Sequence, residues 1–234
     1  MPAEVAPYLK STRLKPLDGI VKTTALSITK GAKTPIEKAR TLYDWVVDNT
    51  CREPAVRGCG RGDIKFMLET GNLGGKCADL NALYVGLARA AGIPARDVYG
   101  IRVDDSEQFK SLGKSGDVSR AQHCRAEFYL AGFGWVPVDP ADVSKAVLEE
   151  KLPLDDPKVA ALRERLFGYW EMNWVAFNTA SDVALNPRPA AGTLPFFMYP
   201  HAEIGRTPQD SLEPAAFVYK IEAAELVGTG AKLS

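Results

Sequence analysis

The residues that could do chemistry centre on Cys77, which follows Gly74-Gly75-Lys76 and begins an apolar stretch that runs to Ala91. A thiol at the start of a helix feels the partial positive charge of the unpaired backbone N–H groups. That field favours the thiolate, which is the nucleophilic form of cysteine. Cys77 is therefore a candidate nucleophile for acyl transfer through a thioester.

His123 and Asp139 are the candidate partners of this nucleophile. A strand with one apolar and one polar face, a Gly-containing turn and a return strand connect them. If Tyr129 faces Phe133 or Trp135, His123 lies opposite Asp139 or one diagonal step away on the same face. His123 could then hold the thiolate as an ion pair and protonate a leaving amine, while Asp139 orients the imidazole.

Further candidates would stabilise an oxyanion or contact the substrate. The backbone N–H of Cys77 is one expected donor because it lies at a helix start. A second donor could come from Asn72 or from a backbone amide of residues 71–76, Gly75 among them. Trp135 and the other aromatic residues of the hairpin could line a substrate groove, although core packing is expected for at least two of these aromatics.

Each candidate also has a purely structural interpretation. A cysteine on an apolar helix stripe is usually a core residue, and we expect that role for Cys124, on the apolar face of its strand. Asp79 and Asn81, within one turn of Cys77, could cap the helix or hold a loop. His201, in a Pro-rich stretch, is expected to be structural or exposed. For Cys77, the helix start and the shared face of His123 and Asp139 favour the catalytic interpretation.

The remaining cysteines and the histidines bear on disulfides and metals. Four cysteines in 234 residues are too sparse for a disulfide scaffold, but one bridge between Cys51 and Cys59 remains open across a Gly-rich loop. With two histidines, no Cys-x-x-Cys pair and no His-Glu-x-x-His, the sequence predicts neither a metal site nor a cofactor.

Composition limits the classes of protein. Lys plus Arg and Asp plus Glu both number 29, so the balanced charge argues against a nucleic-acid surface. No apolar run reaches the roughly 18–20 residues of a membrane span, which predicts a soluble protein. The first residues lack the basic start and apolar core of a signal peptide, although the chain could be the mature form of an exported protein.

The periodicity predicts one domain over residues 1–234, with a catalytic core at about 35–141. The segment 1–34 is interpreted as an N-terminal arm that begins extended, and 142–234 as C-terminal helix and strands. The predicted elements are a helix that begins at the Thr34–Glu37 capping box, a short helix at 63–68, the Cys77 helix with Gly92 behind it, strands at 96–103, 122–130 and 135–139, helical structure over 144–166, and strands at 170–178 and 217–224. The polar loop 104–121 is expected to border a binding site.

Three segments together resemble the transglutaminase-like superfamily. They are Gly-Gly-Lys-Cys77 with the helix that follows it, His123 at a strand start, and Gly134-Trp135-x-Pro137-x-Asp139-Pro140. The separations also suit the family, with 46 residues from Cys77 to His123 and 16 from His123 to Asp139. The resemblance covers roughly residues 35–141.

The resemblance implies a papain-like α+β fold in which the cysteine helix packs against an antiparallel sheet. It also implies acyl transfer through a Cys-His-Asp triad on a peptide or protein amide. Animal cross-linking members usually carry Trp directly after the cysteine, where this chain has Ala78, and their calcium sites are not visible here. Bacterial members of this size are more similar to peptidases or amidases, many of them exported, which favours a periplasmic setting. Transfer to an amine and a non-catalytic binding module on the same fold remain the alternatives, and the oligomeric state is open.

Overall fold

The computed structural model describes residues 2–225, which form an α+β fold around a four-stranded antiparallel sheet. The strands are β1 (Ala95–Arg102), β2 (Gln122–Leu130), β3 (Gly134–Val138) and β4 (Trp174–Asn178), and their order across the sheet is β3-β2-β1-β4. The fold class predicted from the sequence is therefore confirmed. In the part of the chain described, no helix has both the length and the apolar character needed to cross a bilayer.

The described residues include six α-helices. They are α1 (Gly19–Ile28), α2 (Pro35–Asn49), α3 (Ile64–Thr70), α4 (Cys77–Ala90), α5 (Pro140–Glu149) and α6 (Pro157–Arg165). The predicted capping box at the start of α2 is present, since Thr34 Oγ1 accepts a hydrogen bond from the Glu37 N–H at 3.3 Å and Glu37 accepts one from the Thr34 N–H at 3.0 Å. Gly92, with a φ of 87°, follows α4 as predicted.

Helix α4 is the centre of the core. Every residue from Cys77 to Ala90 is buried, because the helix lies between the sheet on one side and α1, α2 and α5 on the other. Leu83, Tyr84 and Leu87 are completely buried. A helix that is apolar on all sides is stable only when neighbours cover it all round. The sequence that supplies Cys77 thus also places it on a helix that is buried along its whole length.

The β2–β3 hairpin has the predicted register. Tyr129 pairs with Trp135 and Ala126 with Val138. Extending this register by one residue places Arg125 opposite Asp139 and His123 one diagonal step away, on the same face. Pro137 lies in β3, which is an edge strand, as its missing N–H predicts.

The terminal regions differ from the sequence expectation. The first residues are not extended but form a 3-10 helix, Ala3–Leu9, because Tyr8 packs edge-on against Trp135 with ring centroids 5.0 Å apart. The predicted C-terminal strand is reduced to Glu222–Ala223, which pairs antiparallel with Gly116–Asp117. Two further short pairs hold loops in place, namely Cys51–Arg52 with Gly74–Gly75 and Glu203–Ile204 with Thr207–Pro208.

Candidate active site

Helix α4 and the β2–β3 hairpin bring Cys77, His123 and Asp139 together. Their exposed fractions are 4%, 4% and 0%. His123 Nε2 lies 2.7 Å from Asp139 Oδ2, and the imidazole is near enough to Cys77 to lower the pKa of its thiol. The imidazole therefore links the carboxylate to the thiol, with Nε2 engaged by Asp139.

Asp139 is fixed by its second oxygen. Oδ1 accepts hydrogen bonds from the Asp142 N–H at 3.1 Å and from Asn81 Nδ2 at 3.2 Å. The first of these bonds makes Asp139 the N-cap of α5, with Pro140 at the first helical position. One carboxylate thus caps a helix with one oxygen and holds the imidazole with the other.

A second layer of buried charge surrounds the pair. Asp142 Oδ1 lies 3.4 Å from His123 Nε2 and forms an ion pair with the Arg102 guanidinium, while Arg125 Nε lies 3.6 Å from Asp139 Oδ2. Side-chain atoms of His123, Asp139 and Asp142 approach within 4.8 Å of one another, as the ligands of a metal would. The two guanidiniums already supply positive charge to these carboxylates, so the charges here compose an ionic network.

The network sets the protonation of the imidazole. Burial and the charge of Arg102 oppose protonation of His123, but Asp142 and Asp139 outweigh them and raise its pKa above the usual value. Burial likewise opposes ionisation of Asp142, but Arg102, His123 and Arg125 hold the pKa of that carboxyl well below its usual range. The arrangement therefore favours an imidazolium facing the thiol.

Three thiols meet at the start of α4. Cys77, Cys59 and Cys124 share one buried cluster, with the Ala78 N–H donating to the Cys59 carbonyl at 2.8 Å. Hydrogen bonds from Cys124, Cys59 and His123 lower the pKa of Cys77 well below the usual value of a thiol, against the effect of burial. The pKa values of Cys59 and Cys124 are raised well above that value, by contact with Cys77 and by burial. A thiolate at Cys77 beside two protonated thiols is the expected state.

Asp79 holds the Gly-rich loop against the start of α4. Oδ1 accepts from the N–H groups of Arg61 at 2.8 Å and Gly62 at 2.9 Å, and Oδ2 accepts from that of Lys76 at 3.0 Å. A Cβ at Gly60 would lie 1.8 Å from the same carboxylate, so only glycine fits there. This carboxylate has the structural role that the sequence suggested for it.

A cavity of about 690 Å³ opens above the Cys77 thiol. Cys77, His123 and Cys59 lie on its floor, and residues 113, 114, 117 and 119–122 form one wall, so the loop over 104–121 does border the site. Tyr199 and Tyr219 contribute another wall from the C-terminal region. A cavity of this size accommodates a small molecule or a short peptide segment.

Three sequence candidates do not line this cavity. Trp135 lies four residues, about 13 Å, along β3 from Asp139, and the Arg96 guanidinium covers its ring at 3.9 Å. Asn72 is exposed, and its Oδ1 accepts from the Gly74 N–H at 3.2 Å in a local turn. Gly75 is buried against Asp79, so its missing side chain makes room for that residue and not for a substrate.

The remaining predictions have mixed outcomes. Cys51 and Cys59 form no disulfide: Cys51 is exposed, whereas Cys59 points inward with its Sγ 3.3 Å from the Gln122 carbonyl oxygen. Cys124 is buried as expected and in addition contacts Cys77. His201 is half-buried beside Glu203, with its Nε2 3.7 Å from a carboxylate oxygen, and is not part of the cavity wall.

Sequence reasoning missed the residues that support Asp139. Asn81 neither caps α4 nor holds a loop, but donates to the Cys124 carbonyl at 2.8 Å and to Asp139, joining α4 to the hairpin. The position of Asp142 in the first turn of α5 could have been predicted. Asp139 at the N-cap, Pro140 directly after it and an acidic residue three positions after Asp139 are typical of a helix start. Arg102 carried no such signal, since its partner lies 40 positions away.

Comparisons with known proteins show the family to which this chain belongs. The family model of the transglutaminase-like superfamily matches residues 22–140, just over half of the chain. An uncharacterised protein of Haemophilus influenzae is 46% identical over 233 residues, covering 95% of this chain. The chain spans 63% of the length of that relative.

Two solved structures show partial likeness. The periplasmic domain of TgpA from Pseudomonas aeruginosa is 19% identical with a TM-score of 0.48, covering 65% of this chain and 52% of that one. A candidate cysteine protease from Cytophaga hutchinsonii is 20% identical with a TM-score of 0.47, covering 60% and 43%. On the family-model match, this chain belongs to the transglutaminase-like superfamily.

Proposed function

We propose that this chain is a thiol-dependent enzyme that hydrolyses amide bonds of peptides or proteins, with Cys77 as nucleophile, His123 as general acid and base, and Asp139 as the residue that orients the imidazole. The observation that carries the proposal is the buried Cys77–His123–Asp139 arrangement, in which Cys77 and His123 line an open cavity and Asp139 lies behind them. A nucleophile, a base near it and a third group behind the base together support acyl transfer through a covalent intermediate.

The reaction would proceed in two halves. The Cys77 thiolate attacks the carbonyl carbon, and the carbonyl oxygen becomes an oxyanion beside the Cys77 N–H, which has no preceding turn to bind. The C–N bond then breaks, and the amine leaves with the proton of the His123 imidazolium. In the second half, neutral His123 takes a proton from water as the water attacks the thioester, the carboxylic acid is released, and the thiolate–imidazolium pair is restored.

The cavity wall favours water over an amine as acceptor. Lys114 and Arg120 line the entrance and are exposed. A protein lysine is protonated at neutral pH, and two cations in its path would repel it. Water carries no such penalty, and the cavity is wide enough to admit it. These features support hydrolysis over protein cross-linking.

The first test is the pH dependence of Cys77 alkylation, read by peptide mass spectrometry, with Cys51 as the exposed reference thiol on the same molecule. We expect Cys77 to react as a thiolate well below the free-thiol pKa of about 8.5. The H123A variant should move this reactivity toward the free-thiol profile. A Cys77 that titrates like Cys51 would overturn the assignment and favour a binding module.

A second test separates hydrolysis from transfer. A peptide library is incubated with the protein, with and without a large excess of a small primary amine. The products are then identified by mass spectrometry. Hydrolysis predicts carboxylic acid products whose yield hardly changes with the amine. Amine adducts as the main product would instead support an acyltransferase. The C77A variant, which keeps the surrounding core, controls for contaminating peptidases.

A further inference from the structure

The walls of the cavity are positively charged although the chain as a whole is neutral. Lys plus Arg and Asp plus Glu both number 29 in the full sequence. Among the described residues that line the cavity, however, seven are lysine or arginine, whereas Asp117 is the one carboxylate. The chain is neutral overall, but positive charge is concentrated around Cys77.

Four of these cations are already engaged by the protein. They are Arg52 with Glu149 at 2.8 Å, Arg57 with Asp210 at 2.6 Å, Arg102 with Asp142, and Lys145 with the Ser111 carbonyl. Their charges are therefore partly offset by these partners. Burial and the nearby Arg102 lower the pKa of Lys145, which is the response of a cation placed close to another cation.

The other three cations, Lys76, Lys114 and Arg120, form what we call the cationic rim. Within the described residues, none of them forms an ion pair at 4.0 Å or less. Lys76 directly precedes Cys77 in the chain, and Lys114 and Arg120 are exposed on the loop wall. Asp117 cannot offset all three, and its Oδ1 already accepts from the Ser119 N–H at 3.0 Å.

Resting on the proposed function, we infer that the substrate is an acidic peptide, in which a side-chain or terminal carboxylate contacts the cationic rim while the scissile amide lies at Cys77. Unpaired lysines and an arginine around one cavity complement a carboxylate and repel a cationic peptide. The cavity volume of about 690 Å³ fits a short peptide segment that carries such a group.

The inference can be tested without knowing the substrate. Iodoacetate and iodoacetamide both alkylate thiolates. They differ chiefly in charge, because iodoacetate is negative and iodoacetamide is neutral. The ratio of their rates is measured at Cys77 and, on the same molecules, at the exposed Cys51. We expect a higher iodoacetate-to-iodoacetamide ratio at Cys77, by about twofold to threefold for each rim charge. The excess should shrink as salt is added.

Variants locate the effect. The double variant K114Q/R120Q should lower the ratio at Cys77 and leave it unchanged at Cys51. The matched control is K30Q, which removes an exposed lysine that does not line the cavity. A ratio at Cys77 equal to that at Cys51 while iodoacetamide still reacts would overturn the acidic-peptide inference alone. A Cys77 that resists both reagents would overturn the proposed function and this inference with it.

A matched peptide pair completes the test. Two fluorogenic peptides that differ by glutamate and glutamine next to the cleaved amide are compared by kcat/KM. The acidic peptide should be preferred by the native chain and by K30Q, and the preference should fall in K114Q/R120Q. Equal rates for both peptides, or preference for a lysine-containing peptide, would overturn the inference, while C77A-sensitive cleavage of any peptide would still support the proposed function.

Discussion

The floor and the rim of the cavity are built in different ways. Cys77 and His123 on the floor, and Asp139 behind them, are at most 4% exposed and are held by partners on several elements. Lys114 and Arg120 are exposed on a loop and form no ion pair with a described residue. The floor side chains are held in place before a substrate binds, at the cost of burying their charges. The exposed rim side chains can change conformation around a substrate.

The difference separates two kinds of contribution to a reaction. A buried, fixed arrangement lowers the barrier of a chemical step, because its dipoles and charges need no reorganisation. Exposed flexible cations contribute to the encounter with a charged substrate and weaken with salt. The family model ends at residue 140, so it covers the floor but not Tyr199 and Tyr219 of the wall. The rim cations Lys76, Lys114 and Arg120, by contrast, lie within the residues that the family model matches.

The largest expected effect is on the floor. The D139N variant keeps the size of the side chain and an oxygen for the helix cap, but removes the charge that orients and stabilises the imidazolium. We expect kcat/KM for amide cleavage to fall by about 10³–10⁴-fold, the scale on which such substitutions act. Steady-state kinetics together with a thermal melt would check this. A loss of less than tenfold would show that His123 does not depend on Asp139.

The second effect concerns stability. The D142N variant leaves the Arg102 guanidinium buried without its partner, which should cost about 3–5 kcal/mol in the free energy of unfolding. Since the pKa of Asp142 is depressed in the folded protein, this contribution is present at neutral pH and is lost only in strong acid. Urea denaturation at pH 7 measures it. The double variant D142N/R102M should recover part of the loss, and no recovery would contradict the pairing.

The third prediction is a bell-shaped pH profile for kcat/KM. The pKa of Cys77 is lowered and that of His123 is raised, so the thiolate–imidazolium pair exists between the two values. Activity should fall about tenfold per pH unit on the acid side as the thiolate is protonated, and on the alkaline side, above the ordinary histidine value of about 6.5, as His123 loses its proton. A rate that rises steadily through the free-thiol range would contradict the ion pair.

The smallest expected effect is on the rim, and it sharpens the contrast with the floor. The K114Q/R120Q variant should change the free energy of unfolding by no more than about 0.5 kcal/mol, because exposed charges without partners contribute little. Chemical denaturation beside K30Q would measure this. A large destabilisation would show that these side chains belong to the folded framework and would remove the distinction drawn between the two regions.

The elements that depend on local signals were predictable from the sequence. The Thr34–Glu37 capping box, the apolar Cys77 helix and the hairpin register all follow from spacing and periodicity within a few residues. These local signals were sufficient to predict that His123 and Asp139 lie on one face of the hairpin. They also predicted the fold class, because a helix and a hairpin that must share a core restrict the arrangement.

Interactions between distant residues were not predictable in this way. The sequence around Arg102 predicts an ordinary strand residue. Its burial depends on the ion pair with Asp142, which is 40 positions away in the chain. The aromatic side chain of Trp135 predicted a position in a substrate groove. Its distance from Asp139 along β3 instead places it outside the cavity. Tyr199 and Tyr219 reach the cavity from irregular segments, where no periodicity indicates direction.

The two oxygens of Asp139 have a consequence for how this protein can evolve. One oxygen caps α5 through the Asp142 N–H, and the other holds His123. Replacing Asp139 with a residue that has no side-chain oxygen would remove the helix cap together with the imidazole partner and would therefore destabilise the fold, whereas asparagine would keep a cap acceptor. A lineage that repurposes this fold for binding is therefore reached more readily through loss of Cys77 or His123, which leaves the start of α5 intact, than through loss of the side-chain oxygens of Asp139.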